Sequence, residues 1–444
     1  MKNKLVYVVL DDDPTGVQTV HDVPVYTHGD YQSVLSGFEE QTNLFFILTN
    51  SRSFSAEKTK CVHSIIASNI VRASKETNRP FVIISRGDST LRGHFPLETD
   101  TLRNTVEEEC DYKIDGVFLI PFFLEGGRIT VDDIHYVLEN GKRVPCGETE
   151  FSKDKTFPYY SSNLKDWIEE KSNGAIRANN VISLNPKGDN ASQMLSKIIN
   201  QPSFKYFIVN AESYEELVPF TNAFEKAIEN GRHYIIRSAA SVVKSLAGIS
   251  DKALLQKKDL IDRGNNNGGL VIIGSHVKKT TEQFELLKSD KNLVFVEFNQ
   301  HLVLSNELEK EVERVVKMLD ELIPQGVSVV VYTNRVRVDF PYDDKEKNLR
   351  LSLEIADSIT SIVANLEARP SFIVAKGGIT SSDIGTKALE VKKAMVLGQI
   401  EKGIPVWNTG SDSKFPNLPY VIFPGNVGSP DTLLKVVNKL MGSN

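Results

Sequence analysis

Two clusters of side chains in this sequence have the types and spacing to do chemistry: three consecutive aspartates, Asp11, Asp12 and Asp13, and the run Arg86-Gly-Asp-Ser-Thr-Leu-Arg-Gly-His94. Adjacent carboxylates repel one another unless a cation, a set of hydrogen-bond donors or a shared proton compensates. Such a group can accept a proton from an attacking hydroxyl, hold substrate hydroxyls or help bind magnesium, and the residues alone do not choose among these. The plain alternative is a solvated turn whose aspartate caps the next helix. In the second cluster Arg86 and Arg92 offer planar forks for a carboxylate or phosphate, and Gly87 and Gly93 allow close backbone approach. Ser89 and Thr90 can cap a following helix and present N–H groups to the same anion. Asp88 either joins them or simply pairs with Arg92 four residues on in a helix. Arg52 adds a further cation, whereas His94 on its own carries little weight.

The second half joins strand ends to glycines at three places: Gly274-Ser275-His276, Lys376-Gly377-Gly378-Ile379-Thr380-Ser381-Ser382-Asp383 and Pro424-Gly425-Asn426-Val427-Gly428. Each can offer backbone N–H groups to phosphate. None fits the P-loop or the dinucleotide fingerprint, so a nucleotide site built from them is of another type. Ser381, Ser382 and Asp383 suit a helix start after the paired glycines, with Lys376 as a compact charge beside it.

The elements that must position these groups follow from hydrophobic patterning. Runs at Leu5–Leu10, Phe45–Thr49, Phe81–Ser85, Val117–Ile120, Phe207–Asn210 and Tyr234–Arg237 read as buried strands, and Ile65–Lys75 carries helical spacing as a crossover should. The alternation predicts an α/β fold with mostly parallel sheets. The aspartates, Arg52 and Arg86 then leave their strands at the carboxyl edge, where such sheets bind ligands. A turn-rich stretch at Arg263-Gly-Asn-Asn-Asn-Gly-Gly269 marks a domain junction. Beyond it the pattern restarts, with strands at Leu270–Ile273, Val294–Phe298, Val327–Tyr332 and Phe372–Val374, and helices near Asn306–Leu322 and Leu349–Leu366 separated by a polar loop at Tyr342–Asn348. The expectation is two α/β domains, 1–263 and 264–444, with a ligand cleft between them.

Composition narrows the partners. A net charge of −6 without a basic block argues against nucleic-acid binding. No apolar run approaches the roughly 18 residues of a membrane span, and the start is too short for a signal-peptide core. Three cysteines with no paired spacing point to reduced thiols in a cytoplasmic protein rather than disulfides or a zinc site. A homo-oligomer is compatible with all of this.

Two family resemblances compete. Asp11-x-Asp13-x-Thr15, with Ile47-Leu48-Thr49-Asn50, is similar to the nucleophile loop and second motif of haloacid-dehalogenase-type phosphatases, which would make Asp11 a nucleophile and Asp13 an acid in a magnesium-dependent enzyme. It leaves the 86–94 run and most of the second half without a role. The wider resemblance is to the four-carbon acid sugar kinase family, in five motifs taken in order: Asp12-Asp13-Pro14-Thr15-Gly16; Asp88-Ser89-Thr90-Leu91-Arg92-Gly93; Gly274-Ser275 with Thr280 and Gln283; Gly377-Gly378-Ile379-Thr380; and Gly425-Asn426-Val427-Gly428. That resemblance implies an amino-terminal acid-sugar domain, a carboxy-terminal ATP domain, and phosphoryl transfer to a hydroxyl of an acid such as threonate or erythronate, with ATP and Mg2+. It implies that Asp12, Arg52, Arg86, Gly87, Asp88 and Ser89 hold the acid, and Arg92 is expected to join Arg52 and Arg86 on its carboxylate. Catalysis would fall to Asp12, Asp13 and Asp88, and ATP would be held by Ser275, Gly377, Gly378, Ile379, Thr380 and Gly425. Metal ligands are not specified. Val277 stands where relatives carry a second serine and Ile379 where they carry an acid, so a non-catalytic sugar-acid-binding protein is a further alternative.

Overall fold

The computed structural model describes residues 4–139, 141–262, 264–336, 338 and 345–442. The chain divides into two compact units, Met1–Asp251 and Lys252–Asn444. Arg263 lies outside the described residues, and the stretch just before it packs with the second unit, since Leu255 and Ile261 are buried in that unit's core.

In the first unit the strands are β1 (Val6–Asp11), β2 (Val23–Tyr26), β3 (Leu44–Leu48), β4 (Phe81–Arg86), β5 (Gly116–Ile120), β6 (Arg128–Val131), β7 (Ile134–Glu139), β8 (Lys142–Pro145), β9 (Val181–Leu184), β10 (Lys205–Val209) and β11 (Tyr234–Ser238). Eight of them form one sheet in the order β2-β3-β1-β4-β11-β5-β10-β9, and its pairings are parallel. Parallel strands covered on both faces read as continuous apolar runs, and every residue of β1 is buried. The crossover helix Ala56–Thr77 is capped by Ser55 and ended by Asn78 in the left-handed conformation. It lays Ile66, Ala67, Ile70 and Val71 into the core, where Leu102 and Val106 of the helix Leu97–Glu109 join them. From central β1 the chain runs to β3 on one side and β4 on the other, and that reversal opens a crevice at the carboxyl ends.

Three strands, β6 to β8, form a separate antiparallel sheet. Sequence patterning does not find it, because its strands are short and β8 is largely exposed. Strand β2 was equally hidden: four residues with Pro24 at the second position look like a loop.

The second unit has β12 (Leu270–Ile273), β13 (Leu293–Phe298), β14 (Ser328–Thr333), β15 (Ile373–Lys376), β16 (Lys393–Glu401), β17 (Ile404–Thr409) and β18 (Pro419–Phe423), ordered β13-β14-β12-β15-β18-β17-β16. The first five in that order are parallel neighbours, while β17 pairs antiparallel with both β18 and β16. The helix expected from Leu349 begins earlier, at Lys345; Tyr342, in the loop expected before it, lies outside the described residues. No helix among the described residues is long and apolar enough to cross a membrane.

Candidate functional site

Strand register builds the first cluster. Asp11 pairs with Leu48 of β3 and with Arg86 of β4, and Ser238 of β11 pairs with Arg86. Four neighbouring strands therefore end together, and the chain turns out of each with a charged or polar residue. After β1, Asp13 caps a short 3-10 turn, Pro14–Val17, by accepting from the Thr15 N–H at 2.7 Å. The capping role open to these aspartates thus belongs to Asp13, while Asp11 and Asp12 are both 2% exposed and face inward.

The aspartates are met by arginines. Arg52 grips Asp12 with two bonds, Nε to Oδ2 at 2.9 Å and Nη2 to Oδ1 at 2.5 Å, and its Nη1 lies 2.5 Å from Asp13 and 3.8 Å from Asp88. Nη1 of Arg86 sits 3.2 Å from Asp11, 3.3 Å from Asp12 and 3.8 Å from Asp13. Asp88 accepts from Arg92 Nε at 2.8 Å and Nη2 at 3.2 Å, and from the backbone N–H and hydroxyl of Thr90. Nη1 of Arg92 reaches Asp154 at 3.4 Å. The Asp88–Arg92 pair exists, yet no helix carries it: residues 87–96 form an irregular loop and the next helix starts at Leu97. Ser89 and Thr90 therefore cap nothing. Instead Asp88 holds the loop closed from within, an Asx-type turn.

Electrostatics divides the acids by role. Burial pushes the Asp11 carboxyl well above the usual carboxylate range, and its neighbours Asp13 and Asp12 outweigh much of what Arg86 gives back. Burial raises Asp12 as well, against the pull of Arg52. For Asp13 burial is overcome by Arg52 and Arg86, and the carboxyl is lowered. Asp88, though buried, is held well below the usual range by Arg92 and Arg52. Four carboxylates (Asp11, Asp12, Asp13, Asp88) thus share three guanidinium groups (Arg52, Arg86, Arg92), and Asp11 is the member most disposed to keep a proton.

Three further parts of this site escaped sequence reading. Arg237, near the end of β11, places its guanidinium against Gly87, where a Cβ would lie 1.5 Å from Nη1. It donates to the carbonyls of Ser85 and Arg92 at 3.4 Å and lies 3.7 Å from Glu98. Glu98 also accepts from Ser51 at 2.9 Å; burial would raise its carboxyl, but Arg237 and His63 leave it lowered. The 123–163 segment then clamps the loop. His135 bonds the Ser89 carbonyl at 2.8 Å and Tyr159 donates to the Thr90 carbonyl at 2.7 Å, with His135 pushed down to about 4 by burial. The strand-end position of Arg237 was a usable signal; nothing local marks Glu98, His135 or Tyr159. His94 is structural, its Nε2 meeting the Phe54 carbonyl at 3.0 Å.

In the second unit the glycine turns converge at the carboxyl ends of β12, β15 and β18. A Cβ at Gly274 would lie 2.5 Å from Thr380 Oγ1, one at Gly377 3.1 Å from Ser275 Cβ, and one at Gly425 3.5 Å from Ser275 Oγ. Thr280 donates to Ser275 Oγ at 3.2 Å and to the Gly425 carbonyl at 3.3 Å, and Gln283 ties down the Val427 and Ser429 carbonyls. Gly377 has φ of 124°, a conformation that side chains resist, and the helix begins directly after it at Gly378. It starts earlier than Ser381-Ser382-Asp383 suggested, because Ser381 Oγ is used inside, donating to the Ala375 and Gly377 carbonyls. The space beside Gly378 is open and Ile379 is 67% exposed. Lys376 is fully buried, donates to the Pro424 carbonyl at 2.6 Å, and is pushed down to about 6 by burial. It braces the Gly425 turn rather than facing outward as a free charge.

The carboxyl-edge cluster of acids and arginines lies in one unit and the convergent glycine turns in the other, and each unit corresponds to a known domain. Residues 7–246 match the family model described as a sugar-binding N-terminal domain, and residues 270–433 the one described as a nucleotide-binding C-terminal domain. The chain belongs to the family that carries this pair, of four-carbon acid sugar kinase architecture. Among solved structures, it is similar to Haemophilus influenzae protein HI1011, of the family designated DUF1537, at 16% identity and a TM-score of 0.66, covering 98% of this chain and 100% of that one. A Salmonella typhimurium LT2 protein provisionally described as a tRNA synthase matches at 13% identity and a TM-score of 0.68, covering 97% and 98%. At those identities the likeness concerns the fold. No curated protein matches the sequence.

Proposed function

We propose that this protein is a kinase that transfers the terminal phosphoryl group of ATP to a hydroxyl, terminal in the simplest case, of a small four-carbon sugar acid such as threonate or erythronate. The observation that carries the reading is the interlocked aspartate–arginine cluster at the carboxyl edge of the sugar-binding domain, because a polyhydroxy acid offers both an anion for the arginines and hydroxyls for the aspartates. Arg52 and Arg92, with side chains 22% and 21% exposed, are the cations that a substrate carboxylate reaches, whereas Arg86, at 3%, is spent on the aspartates themselves. Gly87 and Ser89 supply backbone and hydroxyl contacts at the same loop.

Phosphoryl transfer asks for in-line positioning and neutralisation of charge more than for covalent help. Of Asp12, Asp13 and Asp88, Asp12 alone has its carboxyl displaced upward, which suits it to accept the proton of the attacking hydroxyl. Asp13 and Asp88, held ionised, orient the arginines. On the nucleotide side Ser275, Gly377, Gly378, Thr380 and Gly425 present backbone and hydroxyl groups to the phosphates. The exposed Val277 and Ile379 offer apolar surface to the base. Mg2+ brought with ATP would neutralise phosphate charge. Cys61, Cys110 and Cys146 are free thiols, in keeping with a cytoplasmic protein.

The phosphatase alternative needs an ionised Asp11, and a buried carboxyl raised well above its usual range is a poor nucleophile. The test is to incubate the protein with magnesium and ATP against a panel of four-carbon acids, and separately with simple phosphomonoesters. ADP formed only with an acid is the expected result. Phosphomonoester turnover without any acid-dependent ADP would overturn the proposal.

A further inference from the structure

The loop after β14 carries an arginine that none of the motifs includes. Arg335 stands two residues beyond Thr333, at the same carboxyl edge as Ser275. Its Nη2 donates to the Ser275 carbonyl and to Thr281 Oγ1, both at 2.8 Å. Ser275 belongs to the convergent glycine turns, so the guanidinium is anchored to their framework from behind. Its other two nitrogens, Nε and Nη1, are buried and have no hydrogen-bond partner. Together they carry most of the group's N–H donors, directed to two different edges of the guanidinium.

A cation desolvated in this way and left with idle donors weakens the free protein. The arrangement makes physical sense if an anion completes it. Among the described residues no carboxylate lies in ion-pair contact with Arg335, and the charge of Glu285 opposes part of the effect of burial on it. An anion from outside the chain can supply the missing acceptor, and the groups around Ser275 already suit phosphate. Lys376 does not fill this role, because its amine is committed to the Pro424 and Gly425 carbonyls.

We propose that Arg335 is a polyphosphate ligand, taking oxygens of the nucleotide's phosphate chain on Nε and Nη1 while Ser275 and Thr281 fix its orientation through Nη2. This rests on the reading of the second unit as the ATP site. Calorimetric titration of the full chain with ATP, ADP, AMP and adenosine tests it, on wild type and on Arg335→Gln, Arg335→Lys and Thr281→Val. Arg335→Gln should weaken ATP about tenfold to a hundredfold, the range for a charged hydrogen bond, and leave adenosine within about twofold. Arg335→Lys should recover part of the loss, and Thr281→Val should show a smaller loss of the same pattern. Equal losses for ATP and adenosine would mean a structural role, and unchanged ATP affinity would mean no role; either overturns the inference while the ATP reading stands. Should wild type bind adenosine but gain nothing from added phosphates, Arg335 has no phosphate to hold. Absence of any nucleotide binding by wild type at millimolar concentration overturns the ATP reading itself.

Discussion

Replacing Asp88 with asparagine tests the charge network most directly. The change keeps the shape and one acceptor oxygen but turns an NH2 group toward Arg92, whose Nε and Nη2 lie 2.8 and 3.2 Å from the native carboxylate. Breaking a fully buried ion pair costs about 3–5 kcal/mol. Here the two side chains are 10% and 21% exposed, so a loss of about 2–4 kcal/mol is expected once partial solvation is allowed for. Trp167 and Trp407 are each 1% exposed, one in each unit, so a Trp407→Phe background leaves Trp167 as a fluorescent reporter of the first unit. With a urea dependence of about 3 kcal/mol/M, the midpoint of that unit should fall by about 1 M. The pH dependence supplies a second check. Asp88 is depressed in the native state, so its stabilisation is fully present above the unfolded value of about 3.9 and is lost as pH falls through the native one. The gap between wild type and variant should therefore be flat from about pH 7 to about pH 5 and close in stronger acid. A midpoint within about 0.2 M of wild type, or a gap that widens in acid, refutes the assignment of Asp88 as the ionised hub of the loop.

Asp11→Asn replaces a carboxyl already disposed to be neutral, so acid-dependent ADP formation should stay within about tenfold of wild type; complete loss of turnover would return Asp11 to the centre of the chemistry. Gly87→Ala drives a Cβ into the Arg237 guanidinium and should cost on the order of 2 kcal/mol through its carbonyl and Glu98 contacts, read as a lowered midpoint of the first unit; an unchanged midpoint would show that Arg237 moves aside freely. Lys376, pushed down to about 6 when folded, binds fewer protons native than unfolded, so the second unit should gain stability as pH rises from about 6 toward about 10. Lys376→Met should flatten that slope, measured by urea midpoints at several pH values, and an unaltered slope would assign it to another group.

Much of the scaffold was legible because buried parallel strands are apolar throughout. The runs at Leu5–Leu10 and Phe81–Ser85 announced β1 and β4, and with them the edge where the aspartates and Arg86 emerge. Short or half-exposed strands were not, since β2 carries a proline and β8 has no buried stripe. The motif residues of both sites were visible as types in sequence. Their relations were not: a cap was expected of Ser89 and Thr90, and the loop is instead tied by Asp88, because a side chain four residues from Arg92 can pair with it in an irregular turn as readily as in a helix.

What the sequence by itself determined is the fold class and the inventory of the sites, since hydrophobic period and motif order depend only on neighbours along the chain. What tertiary structure decided is how the charges are spent. Glu98, His135, Tyr159 and Arg335 reach their partners across long stretches of chain, 46 residues in the case of His135 and Ser89, and such distances leave no local trace. Burial, which is a property of the folded whole, then sorts four similar aspartates into one that tends to hold a proton, one raised against the pull of its arginine, and two held ionised.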